Sequence, residues 1–209
     1  MKKLIVIAMA FVSLVQVRVF AVITGSPHDF SGVSSVHGAG EICKVCHTPH
    51  NGRSREAPLW RGRLAVYDTY RLYSSDTLDA TVNQPRAPSK ACLTCHDGAI
   101  AKGPVTGCID CHVNGGHGSR DNNLSDDHPF SFTFDTALAQ QDGALQDPSV
   151  ATVSSLGGKT IKEGMLYQDR LECSSCHDVH ATKGDSKTAA KLLLVSNNQG
   201  NLCLTCHNK

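Results

Sequence analysis

The chain has 209 residues, 40% apolar, 5% aromatic and 19% charged, with a formal net charge of +1. That is the size of one domain or two very small ones, so a large enzyme is excluded, as are a disordered tail, a collagen and a coiled coil. One Trp, four Tyr and six Phe supply little bulk for a core of this length, and the excess lies instead in ten cysteines and eleven histidines.

The first residues read as an address. Lys2 and Lys3 precede an apolar stretch from Leu4 to Val15, broken by Ser13, and Val19-Phe20-Ala21 offers a cleavage site. Residues 1–21 are therefore expected to be a cleaved signal peptide. Arg18 beside the site leaves an uncleaved anchor as the alternative, although the apolar run is short for a transmembrane span. Cleavage leaves 22–209 as a single domain with 17 basic and 19 acidic residues, a balance that does not suggest nucleic acid. No later segment is long and apolar enough to span a membrane, and the expected location is extracellular or periplasmic. The first cysteine is Cys43, so no lipid-modified cysteine begins the mature chain.

In an exported protein an even cysteine count normally means disulfides. The spacing argues otherwise. The cysteines read C-K-V-C-H (Cys43, Cys46, His47), C-L-T-C-H (Cys92, Cys95, His96), C-I-D-C-H (Cys108, Cys111, His112), C-S-S-C-H (Cys173, Cys176, His177) and C-L-T-C-H (Cys203, Cys206, His207), and none is left over. A lone C-x-x-C is shared by zinc and redox motifs, but neither needs a histidine directly after each second cysteine. Five repeats of C-x-x-C-H are the attachment signal for five c-type haems, with both thiols added to one porphyrin and the adjacent imidazole beneath the iron.

The five motif histidines leave six others: His28, His37, His50, His117, His128 and His180. Five irons need five further ligands, and the cleaved chain keeps only Met165 as a methionine. Bis-histidine coordination at most or all haems follows, and with it low reduction potentials. His50 and His180 lie three residues after a motif histidine, too close to reach the far face of the same iron, so each is expected to ligate a neighbouring haem. His128, stiffened by Pro129, and His28 are further candidates. His37 and His117 sit in glycine-flanked loops, and one of the two is spare or serves a neighbouring subunit.

Between the motifs, Trp60 to Tyr73 reads as a short helix that packs Leu64, Tyr67 and Tyr70 on haem faces, followed by a proline-containing loop at 83–89. Arg53, Arg55, Arg61 and Arg63 read as solvated or propionate-pairing residues, with a docking patch as the alternative. Phe130, Phe132 and Phe134 alternate with Ser131 and Thr133 as a strand whose phenyl rings pack on haem, and Asp135 caps a helix running through Leu138 to Gly143. Residues 154–159 read as loop. About 38 residues per haem is too little chain for separate protein interiors, so the porphyrins are expected to form the core and the haem-free chain to be largely unfolded.

The segments 42–51, 90–98, 127–132, 172–180 and 202–207 resemble the exported multihaem cytochromes c of metal-reducing bacteria, and less closely the small cytochromes that polymerise into extracellular haem filaments. Relatives of this pattern carry four attachment sites; Cys108 to His112 is an added fifth. The resemblance implies a mostly coil fold with short α-helices and minimal β, built around a stacked chain of haems, and electron conduction rather than substrate turnover. The partners implied are redox proteins or extracellular electron acceptors, with a homopolymer joined by inter-subunit haem ligation as one form. In that form the arm 22–28 or the loop holding His37 reaches the next subunit. The alternatives are a monomeric periplasmic partner of a reductase and a small-molecule reductase with one open haem, which the histidine surplus opposes. Ten propionates make the holoprotein acidic, so docking to a basic partner is salt-sensitive.

Overall fold

The computed structural model describes residues 23–32, 41–48, 50, 52, 59–61, 69–86, 88–96, 122–186, 188 and 190–208. The signal segment, His37, the whole third motif (Cys108, Cys111, His112) and His117 lie outside the described residues, as do 62–68 within the expected Trp60–Tyr73 helix.

Regular structure comes in short pieces. In chain order these are β1 (Arg71–Leu72), α1 (Ser89–His96), β2 (Asn123–Leu124), β3 (Phe132–Thr133), α2 (Thr136–Asp142), β4 (Thr152–Val153), β5 (Lys159–Thr160), α3 (Ile161–Gly164), β6 (Arg170–Leu171), α4 (Cys173–Cys176) and α5 (Asn201–Cys206), with 3-10 turns at Ser154–Leu156, Ala190–Leu192 and Asn198–Gly200. The strands join in twos: β1 runs parallel to β2, β3 antiparallel to β6, and β4 antiparallel to β5. Pairs of two residues bury too few groups to be stable alone, so their order comes from what packs on them.

Helix α2 follows from its ends. The Asp135 carboxylate accepts from the Leu138 amide at 2.9 Å, and Gly143 closes the helix at φ +70°, a left-handed conformation that costs glycine little. Helix α3 begins with a reciprocal cap in which Thr160 Oγ1 accepts from the Glu163 amide and Glu163 accepts from the Thr160 amide. Hydrogen bonds from the Thr160 amide and hydroxyl hold the Glu163 carboxyl below its usual range.

Two expectations need correction here. Residues 154–159 are not a plain loop: a 3-10 turn and two left-handed glycines, Gly157 and Gly158, fold β4 back onto β5 as a hairpin. Arg71 and Leu72, inside the expected helix, are a strand, because Asn122 and Leu124 offer it a partner backbone.

Phe132 and Phe134 are buried among Leu138, Ala139, Val153, Ile161, Met165, Leu171, Leu194 and Val195, an aliphatic core built within residues 132–195. Phe130 bridges from this core to a smaller cluster of Tyr70, Leu93 and Leu124. Met165 is only 5% exposed and belongs to the aliphatic core. Among the described residues the chain therefore carries an interior built from its own side chains.

Candidate functional site

Four of the five motifs fall among the described residues, and three of them share one backbone device. In each, the motif is a single helical turn closed by the histidine amide: His47 donates to the Cys43 carbonyl at 2.8 Å, His177 to Cys173 at 3.1 Å and His207 to Cys203 at 2.9 Å. One turn brings residues i, i+3 and i+4 to the same side, which is why two thiols and an imidazole can serve one cofactor at this spacing.

The histidine then leaves the helix. His177 and His207 have extended backbones (φ −117° and −111°), and each forms an antiparallel bridge to a crossing segment, as His47 does: His47 with Trp60, His177 with Leu193 and His207 with Leu145. Two hydrogen bonds tie each bridge. The residue after the histidine donates to the crossing chain (Thr48 to Leu59, Asp178 to Leu192, Asn208 to Ala144), and the second cysteine's carbonyl accepts from it (Cys46 from Arg61, Cys176 from Leu194, Cys206 from Gln146). All six lie between 2.7 and 2.9 Å. The second motif differs, with His96 as the last residue of α1 itself.

The histidines outside the motifs are distributed among these sites. His180 stacks against His47 with ring centroids 6.1 Å apart and planes 19° apart. His28 lies 6.0 Å from His96 at 51°, and His128 lies 6.4 Å from His207 at 74°. Each pair joins one motif histidine to one histidine outside the motifs. A metal bound by two opposed imidazoles at about 2.0–2.1 Å per bond stands about 3.2 Å from each ring centre, so the centroids are about 6.3 Å apart. All three pairs have that separation.

The surrounding hydrogen bonds suit ligation. His128 Nδ1 is 2.8 Å from the Pro129 carbonyl and His177 Nδ1 is 2.9 Å from the Lys191 carbonyl. A carbonyl can only accept, so Nδ1 carries the proton and Nε2 keeps its lone pair for a metal. His28 Nδ1 is buried without a hydrogen-bond partner, the state of a ring nitrogen that a metal bond would satisfy. Burial first, and then the imidazoles of His96, His177 and His180, hold His28 below the usual imidazole range, which keeps it neutral and able to ligate.

His180 is set on its partner by the turn that follows the fourth motif. The Asp178 carboxylate accepts from the amides of His180, Thr182 and Lys183 and from the Thr182 hydroxyl, at 2.7 to 3.1 Å. The Trp60 ring stands 6.2 Å from His47 and close to perpendicular to it, at 85°. His50 is exposed, and among the described residues no imidazole stands opposite either His50 or His177.

The eight described cysteines are free thiols. Burial, with Cys173 and Cys203 nearby, pushes Cys176 up to about 11, and burial, with Cys176 and Cys203 nearby, pushes Cys206 up to about 12. Burial also raises Cys46. Cys92 is held well above the ordinary thiol range by its hydrogen bond with Cys173 and by burial. Among the described residues no three His, Cys, Asp or Glu side chains converge as a cation site. The imidazoles come in twos at one recurring separation instead, a pairing that fits an iron whose other four positions are filled by a porphyrin. The residues present therefore fit c-type haem.

The same contacts order the motifs in space. Cys92 touches Cys173, Cys176 lies near Cys203 and Cys206, and His180 of the fourth-motif turn faces His47. The fourth motif is thus next to the first, second and fifth. Nothing local in the sequence encodes this order.

Among the described residues no helix is long and apolar enough to cross a membrane. Neither a scan against protein-family models nor a search of curated proteins returns a match for the chain.

Proposed function

We propose that the chain is an exported pentahaem c-type cytochrome that passes single electrons and turns over no substrate. One observation carries the reading: the same ring separation, 6.0 to 6.4 Å, recurs in three pairs that each join a C-x-x-C-H histidine to a histidine outside the motifs. When bound, c-type haem supplies one-electron chemistry at iron.

The chain's own residues do the rest. Cys43 and Cys46, Cys92 and Cys95, Cys108 and Cys111, Cys173 and Cys176, and Cys203 and Cys206 anchor the five groups. His47 with His180, His96 with His28, and His207 with His128 would hold the iron at three of them. Carbonyls of Pro129 and Lys191 fix the imidazole tautomers, and the backbone bridges at His47, His177 and His207 hold the rings still. Two imidazoles at each of the three paired sites would leave no open iron position there for a substrate, and imidazole in place of a thioether would keep the potentials low. Because His28 lies against His96 of its own chain, a polymer joined by inter-subunit ligation would draw on His37 or His117.

Absorption spectra of the reduced native protein, with and without carbon monoxide or nitrite, test this reading. Unchanged low-spin spectra support an electron carrier. Ligand binding at one haem would favour a small-molecule reductase.

A further inference from the structure

The strongest unexplained feature of the described residues is a buried carboxylate between two attachment motifs. Glu172 is 1% exposed. An ionised carboxylate in such a place is costly unless every oxygen is satisfied. Here Oε2 accepts from Ser89 Oγ at 2.5 Å and from Ser131 Oγ at 2.7 Å, and Oε1 accepts from Arg170 Nε at 3.0 Å. Arg170 donates in addition to the Ser131 carbonyl. Ser89 Oγ in turn accepts the Cys173 amide at 2.9 Å, and Ser175 Oγ accepts the Glu172 amide at 2.9 Å.

Three segments far apart in sequence meet on this one side chain. Ser89 opens α1, which carries Cys92, Cys95 and His96. Glu172 immediately precedes α4, which carries Cys173 and Cys176. Ser131 leads into β3 and is fully buried at φ +62°, a conformation that serine rarely adopts and that persists only where its surroundings enforce it. The result is that the first cysteine of the second motif touches the first cysteine of the fourth.

Stability alone is a weak reason for this arrangement. Replacing a buried ion pair with apolar residues is often neutral or stabilising, and its best-attested use is to fix register between elements. The register at stake here is that of two attachment helices.

We infer that Glu172 is a positioning residue that locks the second and fourth attachment helices together, fixing the spacing of the two haems that Cys92/Cys95 and Cys173/Cys176 would carry. The inference rests on the pentahaem reading above. Reach matters more than charge in this role. Glu172→Asp keeps the charge but withdraws the oxygens from Ser89 and Ser131, whereas Glu172→Gln keeps the length and the one acceptor that the two serine hydroxyls need, giving up the Arg170 contact.

Native, Glu172→Asp, Glu172→Gln and Ser89→Ala holoproteins are compared by haem count from intact mass, by the Soret circular-dichroism couplet of neighbouring porphyrins, and by redox titration. The expected result is five haems and low-spin spectra in all four. The couplet is weakened and the reduction midpoints shifted in Glu172→Asp and Ser89→Ala, and both are largely restored in Glu172→Gln. Ser89→Ala removes a single hydroxyl and decides the matter should Glu172→Asp fail to fold. A native couplet and native midpoints in Ser89→Ala, and in Glu172→Asp where it folds, would overturn the inference while leaving the pentahaem reading intact. A native protein without attached haem would instead sink that reading, through the mass measurement alone.

Discussion

His180 faces His47 and not His177, the motif histidine three residues before it: the rings of His180 and His47 stand 6.1 Å apart and within 19° of parallel. A residue on the turn after the fourth motif thus completes the pair at the first, and the Asp178 hydrogen bonds hold it there. Replacing His180 by alanine is therefore expected to open the iron of the Cys43–His47 site. The variant should keep five haems, and one haem in five should become high-spin and bind carbon monoxide on reduction. Carbon monoxide titration of the reduced variant checks this, and no bound gas would contradict the pairing.

The three pairs differ in ring orientation, from 19° for His47 with His180 to 74° for His128 with His207. Parallel imidazole planes split the iron d orbitals that overlap the ligand π systems, and perpendicular planes cancel that splitting. Electron paramagnetic resonance of the oxidised protein should therefore show at least one rhombic low-spin signal and at least one strongly axial one. His128→Ala should remove the axial signal and leave the rhombic one.

The aliphatic core makes a separate prediction about stability. Phe134 is 2% exposed and packs in the cluster with Leu138, Ile161 and Met165. Phe134→Ala should cost about 3–5 kcal/mol in chemical denaturation while the haem spectrum of the folded protein stays native. Asp135→Ala, which removes the cap of α2, should cost about 1 kcal/mol by the same measurement.

Metal removal separates haem from zinc. Iron held by a porphyrin, itself held by two thioethers, should survive prolonged dialysis against a strong chelator with no change in visible spectrum or melting temperature. A zinc protein would lose its metal and its fold together.

Much of the local structure was legible in the sequence. Asp135 and Gly143 mark the ends of α2 because capping is a property of residues a few positions apart. The C-x-x-C-H turn is legible for the same reason. The two-residue strands were not, since a stretch so short has no period to detect and depends on a partner elsewhere. The phenyl alternation at 130–134 was visible, but the core it enters comes from Val153, Ile161 and Met165, which pattern alone cannot associate with it. Likewise the six histidines outside the motifs could be counted as ligand candidates, whereas His128 meeting His207 and His28 meeting His96 are non-local facts of the fold. Glu172 was missed altogether. Its only sequence signal is a carboxylate directly before a motif cysteine, and its meaning depends on Ser89 and Ser131.

Intact-mass spectrometry of the secreted protein, denatured and reduced, tests the central claim most directly. The account predicts the mass of the processed polypeptide plus five covalently attached haems, one for each C-x-x-C-H motif. A polypeptide mass with no attached tetrapyrrole would contradict it.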